Sequence, residues 1–222
     1  MTDTDKATID YKNELLRKSI HLCSLSIPVI YYFTTRELML TVLVPLLIFS
    51  VIIDFGRHLN PTLKEITIKL FGKIMREHER DEEKKNLSGA SYVLIAAVGV
   101  IFAMPKIFAI TGFAVLILGD IAAALIGRRF GRHKFLAKSL EGTLAFFVVA
   151  SIIVLITPKV EGLFLEYAIG IFAVAVGAIA ENISYGWADD NLTIPISIGF
   201  TMWGLYALLL PDLAPILPNA PV

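Results

Sequence analysis

Charge is scarce in this chain. Asp, Glu, Lys and Arg make up 18% of its 222 residues, and acids and bases balance to a formal net charge of zero. A balanced chain offers no electrostatic footprint for nucleic acid, so no nucleic-acid partner is expected. Cysteine is scarcer still. Cys23 stands alone, which excludes an internal disulfide. Internal repeats and low-complexity stretches are lacking, so residues 1–222 read as one domain. The stretch from Met1 to Lys18 has neither an apolar core nor a small-residue cleavage site, and so does not read as a secretory signal.

What the chain has in excess is apolar side chains. Their share is 56% and the mean hydropathy is +0.71, too high for an ordinary soluble domain. A membrane-spanning helix needs roughly 20 mostly apolar residues. Seven candidates lie near residues 19–35, 37–54, 88–104, 107–127, 140–157, 163–184 and 192–210. The expectation is an all-α polytopic integral membrane protein, in the cell membrane if the source is prokaryotic.

Lys and Arg then set the orientation. On one side fall Lys6, Lys12, Arg17 and Lys18, then Arg57, Lys64, Lys69, Lys73, Arg76, Arg80, Lys84 and Lys85, then Arg128, Arg129, Arg132, Lys134 and Lys138. On the other fall only Arg36, Lys106 and Lys159. Cytoplasmic loops carry the excess of cations, so this imbalance implies seven spans with the N-terminus inside and the C-terminus outside. In the long second loop, Leu63, Ile66, Leu70, Phe71 and Ile74 recur at helical spacing, with Lys64, Lys69, Lys73 and Arg76 largely on other faces. That pattern predicts an amphipathic helix lying on the cytoplasmic interface.

Polar residues in or beside the spans are the informative ones. An ionised Asp at the centre of a span costs about 2.5–3.5 kcal/mol even on the lenient insertion scale, so such residues usually face the bundle interior and serve a function. Asp120 lies seven residues before Gly127, roughly 10 Å along a helix. His21, Asp54, Glu77, Glu79, Lys138, Glu141, Glu181, Asp189, Asp190 and Asn191 also fall at the cytoplasmic ends of the expected spans. Clustering on one side predicts a single site facing the cytoplasm.

The stretch from Gly119 to Phe147 holds its centre. Ser139 can cap the fifth span, whose first turn, Leu140 to Thr143, offers free backbone N–H groups to an anion. Lys138 adds a full positive charge, and Gly142 leaves room for close approach to the backbone. Gly127, Arg128, Arg129, Gly131, Arg132 and Lys134 form a basic, glycine-containing loop that can hold further phosphates. Asp120 and the Asp189–Asp190 pair are hard oxygen ligands of the kind Mg²⁺ takes alongside phosphate oxygens. Cations for phosphates with carboxylates for a metal describe a nucleoside-triphosphate site. A cytidylyltransferase, or a transporter moving ions through Asp120 and Glu181, remains an alternative. Gly127 and Gly131 do not make a P-loop. The Asp-Phe-Gly at Asp54–Gly56 lacks the companion motifs of a protein kinase.

The motif set resembles that of the CTP-dependent lipid-alcohol kinases, which include dolichol kinase, phytol kinase and the CTP-dependent diacylglycerol kinase. Their Asp-x-x-Ala-x-x-x-Gly is similar to Asp120, Ala123 and Gly127. Their following Lys-Ser-x-Glu-Gly is similar to Lys138, Ser139, Glu141 and Gly142. Flanking similarities fall at Arg17, Lys18 and His21, at Arg76, Glu79, Ser88, Gly89 and Tyr92, and at Asp189, Asp190, Asn191 and Pro195. The nucleotide motif is also similar to that of phosphatidate cytidylyltransferases, but their long C-terminal motif is absent, and Asp189–Pro195 stands in its place.

The resemblance implies transfer of the γ-phosphoryl of CTP to the hydroxyl of a membrane lipid, with Mg²⁺ or another divalent cation. Its site would use Asp120, Lys138 and Glu141. Asp120 with Asp189 or Asp190 would hold the metal. Lys138, Ser139, Gly142, Thr143 and the loop after Gly127 would hold the triphosphate. Glu181, Asp54 and His21 are candidates for the base.

Overall fold

The computed structural model describes residues 11–72, 75, 87–184 and 189–221. The described residues are mostly helical: α1 (Tyr11–Cys23), α2 (Ser26–Phe33), α3 (Arg36–Leu59), α4 (Pro61–Phe71), α5 (Gly89–Ala103), α6 (Lys106–Phe130), α7 (Leu140–Ile156), α8 (Phe164–Ile183) and α9 (Asp190–Leu209). A hairpin of two short strands, β1 (Lys134–Phe135) and β2 (Lys138–Ser139), joins α6 to α7, a small departure from the all-α expectation. Arg76 and Glu79, with Lys73, Ile74 and Glu77, lie outside the described residues.

Helix boundaries follow local chemistry. Pro28 has no N–H to give to Ser24, whose carbonyl instead accepts from Ile27 N at 3.0 Å. The expected first span is therefore split into α1 and α2. Thr35 caps α3 through Leu38 N at 3.3 Å. Asn60 both ends α3, by donating its N–H to Gly56 O at 2.9 Å, and starts α4, by accepting from Thr62 N at 2.9 Å ahead of Pro61. Helix α4, the expected amphipathic helix, thus turns off the end of α3 with one residue between them. It buries none of its residues within the protein.

Four helices, α3, α6, α8 and α9, are long and apolar enough to cross a membrane, and α5 and α7 are shorter apolar helices. Helix α3 shows why lipid is its solvent. Leu38, Val42, Leu46, Phe49, Ile52 and Phe55 form an exposed stripe, while Asp54 and Arg57 are buried. A water-soluble helix would be patterned the other way round. Helix α6 is the axis of the bundle. It is buried continuously from Lys106 to Ile117, with α7 and α9 as its main partners and α1, α2 and α5 also against it.

Small residues bring these helices together. A Cβ on Gly112 of α6 would lie 2.9 Å from Pro195 O of α9, and one on Gly170 of α8 would meet Val154 of α7 at 2.5 Å. Without a hydrophobic drive between helices in lipid, such close packing is what holds them. Buried polar groups at one end of the bundle are spent on the backbone. Arg36 donates to Met104 O at 3.0 Å, and Lys106 Nζ donates to Thr34 O at 2.6 Å and to Pro221 O. Glu166, fully buried, accepts from Val160 N, Glu161 N, Leu163 N and the Tyr206 hydroxyl at 2.8–3.0 Å. Nearby Lys159 donates to Thr157 O at 2.7 Å at the end of α7, and burial pushes its ammonium down to about 8 against the pull of Glu166. Each of these groups is satisfied by loop or helix-end backbone, with the Tyr206 hydroxyl added at Glu166.

The two kinds of glycine predict opposite effects. Gly112→Ala must move backbone at the α6–α9 contact and should cost about 1–3 kcal/mol. Gly99→Ala on α5 meets nothing within 4 Å and should be neutral or stabilising by up to about 1 kcal/mol. Thermal unfolding in detergent measures both, and equal effects would show that the α6–α9 contact is looser than described.

Candidate active site

The other end of the bundle is built differently: its charged side chains meet one another. On α1, Glu14, Lys18 and His21 fall three and four residues apart, so they share the face that packs on α6. Glu14 is wholly buried. Arg17 donates to it from Nη2 at 2.6 Å and from Nε at 3.2 Å, and Arg128 of α6 approaches to 3.3 Å. One helical turn along, Lys18 Nζ donates to Asp120 Oδ2, with both side chains buried. His21 Nε2 lies 3.6 Å from the same carboxylate oxygen and is buried without a hydrogen-bond partner. Asp120 is tolerated inside the bundle because a buried ammonium faces it.

The second half comes from the hairpin, α8 and α9. Lys138 Nζ donates to Glu181 Oε1 at 2.5 Å and lies 3.7 Å from Asp190 Oδ2. Asp120 acts electrostatically on both Lys138 and Glu181, so the two halves form one cluster. The other Glu181 oxygen, Oε2, is buried without a hydrogen-bond partner. A buried acceptor is costly to leave unsatisfied, so this atom is chemically suited to a donor or a cation.

The hairpin is held under strain. Leu136, in the turn between β1 and β2, sits at φ 50°, a left-handed conformation that costs a non-glycine residue about 1–2 kcal/mol. Asn182 of α8 offsets it: its Oδ1 accepts from Ala137 N at 2.9 Å and Lys138 N at 3.1 Å. The Asn182 amide group in turn donates to Thr143 Oγ1 at 2.6 Å. Ser139 caps α7 by accepting from Gly142 N at 3.2 Å, as its position before an apolar run predicts.

Several sequence expectations are relocated. Glycines 127, 131 and 142 are needed for contact between α6 and α7. A Cβ on Gly142 would lie 3.0 Å from both Ala123 O and Ser139 Oγ, and one on Gly131 would lie 2.8 Å from Ser139 Cβ. The space that a side chain at position 142 would need is thus filled by the protein itself. Thr143 turns inward, with its hydroxyl donating to Ser139 O at 3.1 Å. Glu141 faces away from Lys138, where it accepts from His133 N at 3.2 Å and pairs with His133 Nδ1 at 2.7 Å on an exposed loop. Arg128 braces α1 through Glu14, while Arg129, Arg132 and Lys134 are exposed around the hairpin.

Asp54 serves a helix end. It accepts from Ser88 N and Ser88 Oγ at 2.8 Å and from Ser91 Oγ at 2.6 Å, with Arg57 Nε at 3.5 Å, and so ties α3 to the start of α5. Asp189 caps α9, accepting from Asn191 N at 2.9 Å and Asn191 Nδ2 at 2.5 Å. Of the expected metal ligands, Asp120 and Asp190 face the cluster. Among the described residues no group of three His, Cys, Asp or Glu side chains converges as a metal cage.

Two contributors were not anticipated. Glu14 could have been found from its spacing to Arg17, Lys18 and His21. Asn182 could have been found as an amide ending a run of apolar residues.

A helical bundle of membrane type with an ionic cluster buried at one end is the class this geometry defines. No family model matches the chain, and no solved structure matches it. The protein MJ1137 of Methanocaldococcus jannaschii is 30% identical over 191 residues, spanning 84% of this chain and 91% of its own. The protein RP860 of Rickettsia prowazekii is 29% identical over 192 residues, 86% of this chain and 93% of its own. The phytol kinase of Synechocystis is 36% identical over 110 residues, which is 44% of each chain. The chain belongs to the family of MJ1137, and under half of it is related to a lipid kinase.

The Lys18–Asp120 pair predicts how substitutions will behave. Asp120→Asn removes the carboxylate that the buried Lys18 ammonium donates to, and breaking a buried pair from one side typically costs about 3–5 kcal/mol. Lys18→Met together with Asp120→Asn removes both charges and should recover most of that loss. Unfolding of the single and double variants in detergent tests the cycle, and an Asp120→Asn protein as stable as the parent would mean the pair contributes nothing.

Proposed function

We propose that the protein is a membrane lipid-alcohol kinase that transfers the γ-phosphoryl of CTP to the hydroxyl of a lipid such as a polyprenol, a phytol-like alcohol or diacylglycerol. The observation carrying this reading is the placement of Lys138. Its ammonium sits between Glu181 and Asp190, in the strand that leads into the capped N-terminus of α7. The partial relationship to a phytol kinase supports the same class.

The chemistry divides among the residues as follows. Lys138 would exchange its carboxylate partner for a phosphate oxygen, and the exposed Arg129, Arg132 and Lys134 would add positive charge around the triphosphate. Asp120, Asp190 and the unpartnered Glu181 Oε2 are hard oxygen donors. Mg²⁺ usually takes one or two carboxylates with substrate phosphates and water rather than a protein cage, so this donor set fits a cation that arrives with the nucleotide. Such an ion would neutralise charge on the phosphates. The acceptor oxygen forms a bond to the γ-phosphorus as the bond to the β–γ bridging oxygen breaks, and CDP leaves with that electron pair. For a loose transition state the protein mainly positions groups and neutralises charge. His21 and Glu181 lie in the cluster and can receive the hydroxyl proton, whereas Asp54 is committed to α5.

The proposed topology is seven crossings with this cluster on the cytoplasmic side, supported by the seventeen-to-three division of cations. It is tested by cysteine labelling. After Cys23→Ala removes the exposed native thiol, Lys134→Cys should react with an impermeant reagent only from the cytoplasmic side and Glu161→Cys only from outside. Labelling of both from one side would end this topology.

The reaction is tested by its products. From CTP and a panel of lipid alcohols, a kinase gives CDP and a lipid monophosphate. Stoichiometric pyrophosphate, with the cytidine label retained in the lipid, would assign the protein to the cytidylyltransferases instead.

A further inference from the structure

Lys138 is held at both ends by adjacent residues of α8. Glu181 takes its ammonium at 2.5 Å, while Asn182 takes its backbone N–H at 3.1 Å. The Asn182 side chain is fully buried and engages three segments at once. Its carbonyl holds the turn of the hairpin through Ala137 N at 2.9 Å. Its amide donates to Thr143 in the first turn of α7, and Thr143 donates to the carbonyl of Ser139, the residue that caps α7. A single side chain therefore sets the hairpin strand, the α7 N-terminus and α8 in one register. The hairpin needs such an anchor, because Leu136 in its turn is in the left-handed region and Leu136 itself is exposed. Without Asn182, the turn has a lower-energy backbone available, and relaxing into it would carry Lys138 away from Glu181 and Asp190.

We propose that Asn182 is a positioning residue for the nucleotide: its amide fixes the Lys138 ammonium relative to the α7 N-terminus, so nucleotide binding depends on it and acceptor binding does not. The proposal rests on the kinase reading for the identity of the nucleotide, but the positioning itself can be read without turnover.

Asn182→Leu keeps the approximate volume and removes every hydrogen bond. In the full-length protein in detergent, hydrogen exchange of the Ala137 and Lys138 amides should accelerate while the α6 core amides stay protected. The dissociation constant for CTP should rise by about tenfold or more. The KM for the lipid alcohol should stay within about twofold of the parent, which separates a nucleotide-positioning role from general damage. Should Asn182→Leu fail to fold, Asn182→Gln keeps the amide but carries it one methylene further, and the same two constants are compared. Unchanged CTP affinity in a folded variant would overturn the proposal, as would parallel losses in both substrates. If the parent protein binds no CTP, the kinase reading fails, and the exchange rates alone then decide whether Asn182 anchors the hairpin.

Discussion

The ion pair between Lys18 and Asp120 is the interaction on which this end of the molecule depends. Helix α6 is apolar and buried along most of its length, yet it carries a carboxylate inside the bundle. That is tolerable only because α1 delivers an ammonium to the same place. The demand fixes where α1 must lie, and Glu14, one turn before Lys18, finds Arg128 of α6 as a consequence. His21, one turn after, is brought to the carboxylate without being bonded to it. The pair is less a source of stability than a constraint on register, since two well-packed apolar residues could do as much for the fold.

The contact between α6 and α7 depends on glycine in the same way that the α1–α6 contact depends on charge. Gly127, Gly131 and Gly142 let the end of α6 touch the capped start of α7, which fixes the two ends between which the hairpin runs. The tip is where Leu136 is strained and where Asn182 binds. Close packing, a cap and one amide together present Lys138 to the carboxylates of α8 and α9. The arrangement holds the Lys138 ammonium in a fixed place at the end of the bundle, which is what electrostatic preorganisation requires of a cation.

Much of this was legible in the residues. Periodicity and hydropathy mark the apolar helices, Ser139 announces the start of α7, and Asp120 and Lys138 stand out as charge where charge is expensive. Elsewhere the structure gives residues a setting that the sequence did not indicate, for definite reasons. The first span is divided because Pro28 removes one backbone donor, which a hydropathy window does not register. Glu141 and Gly142 belong to a motif that looks like a ligand cradle, yet one side chain turns outward to His133 and the other position is filled by α6. Asp54 is a carboxylate at a span end like Glu181, but it accepts from Ser88, the cap of α5, and from Ser91, while Glu181 keeps an oxygen unpartnered.

The sequence by itself determined that the chain is helical, apolar along its spans, and polar at defined helix ends. These properties follow from side-chain chemistry repeated at the helical period, and they need no knowledge of neighbours. Only the tertiary structure decided which polar groups meet. A carboxylate near a span end can serve a ligand, a helix cap or a loop with equal chemical fitness. The choice among them depends on which donors come within hydrogen-bonding distance from segments as far away in the chain as Lys18 is from Asp120.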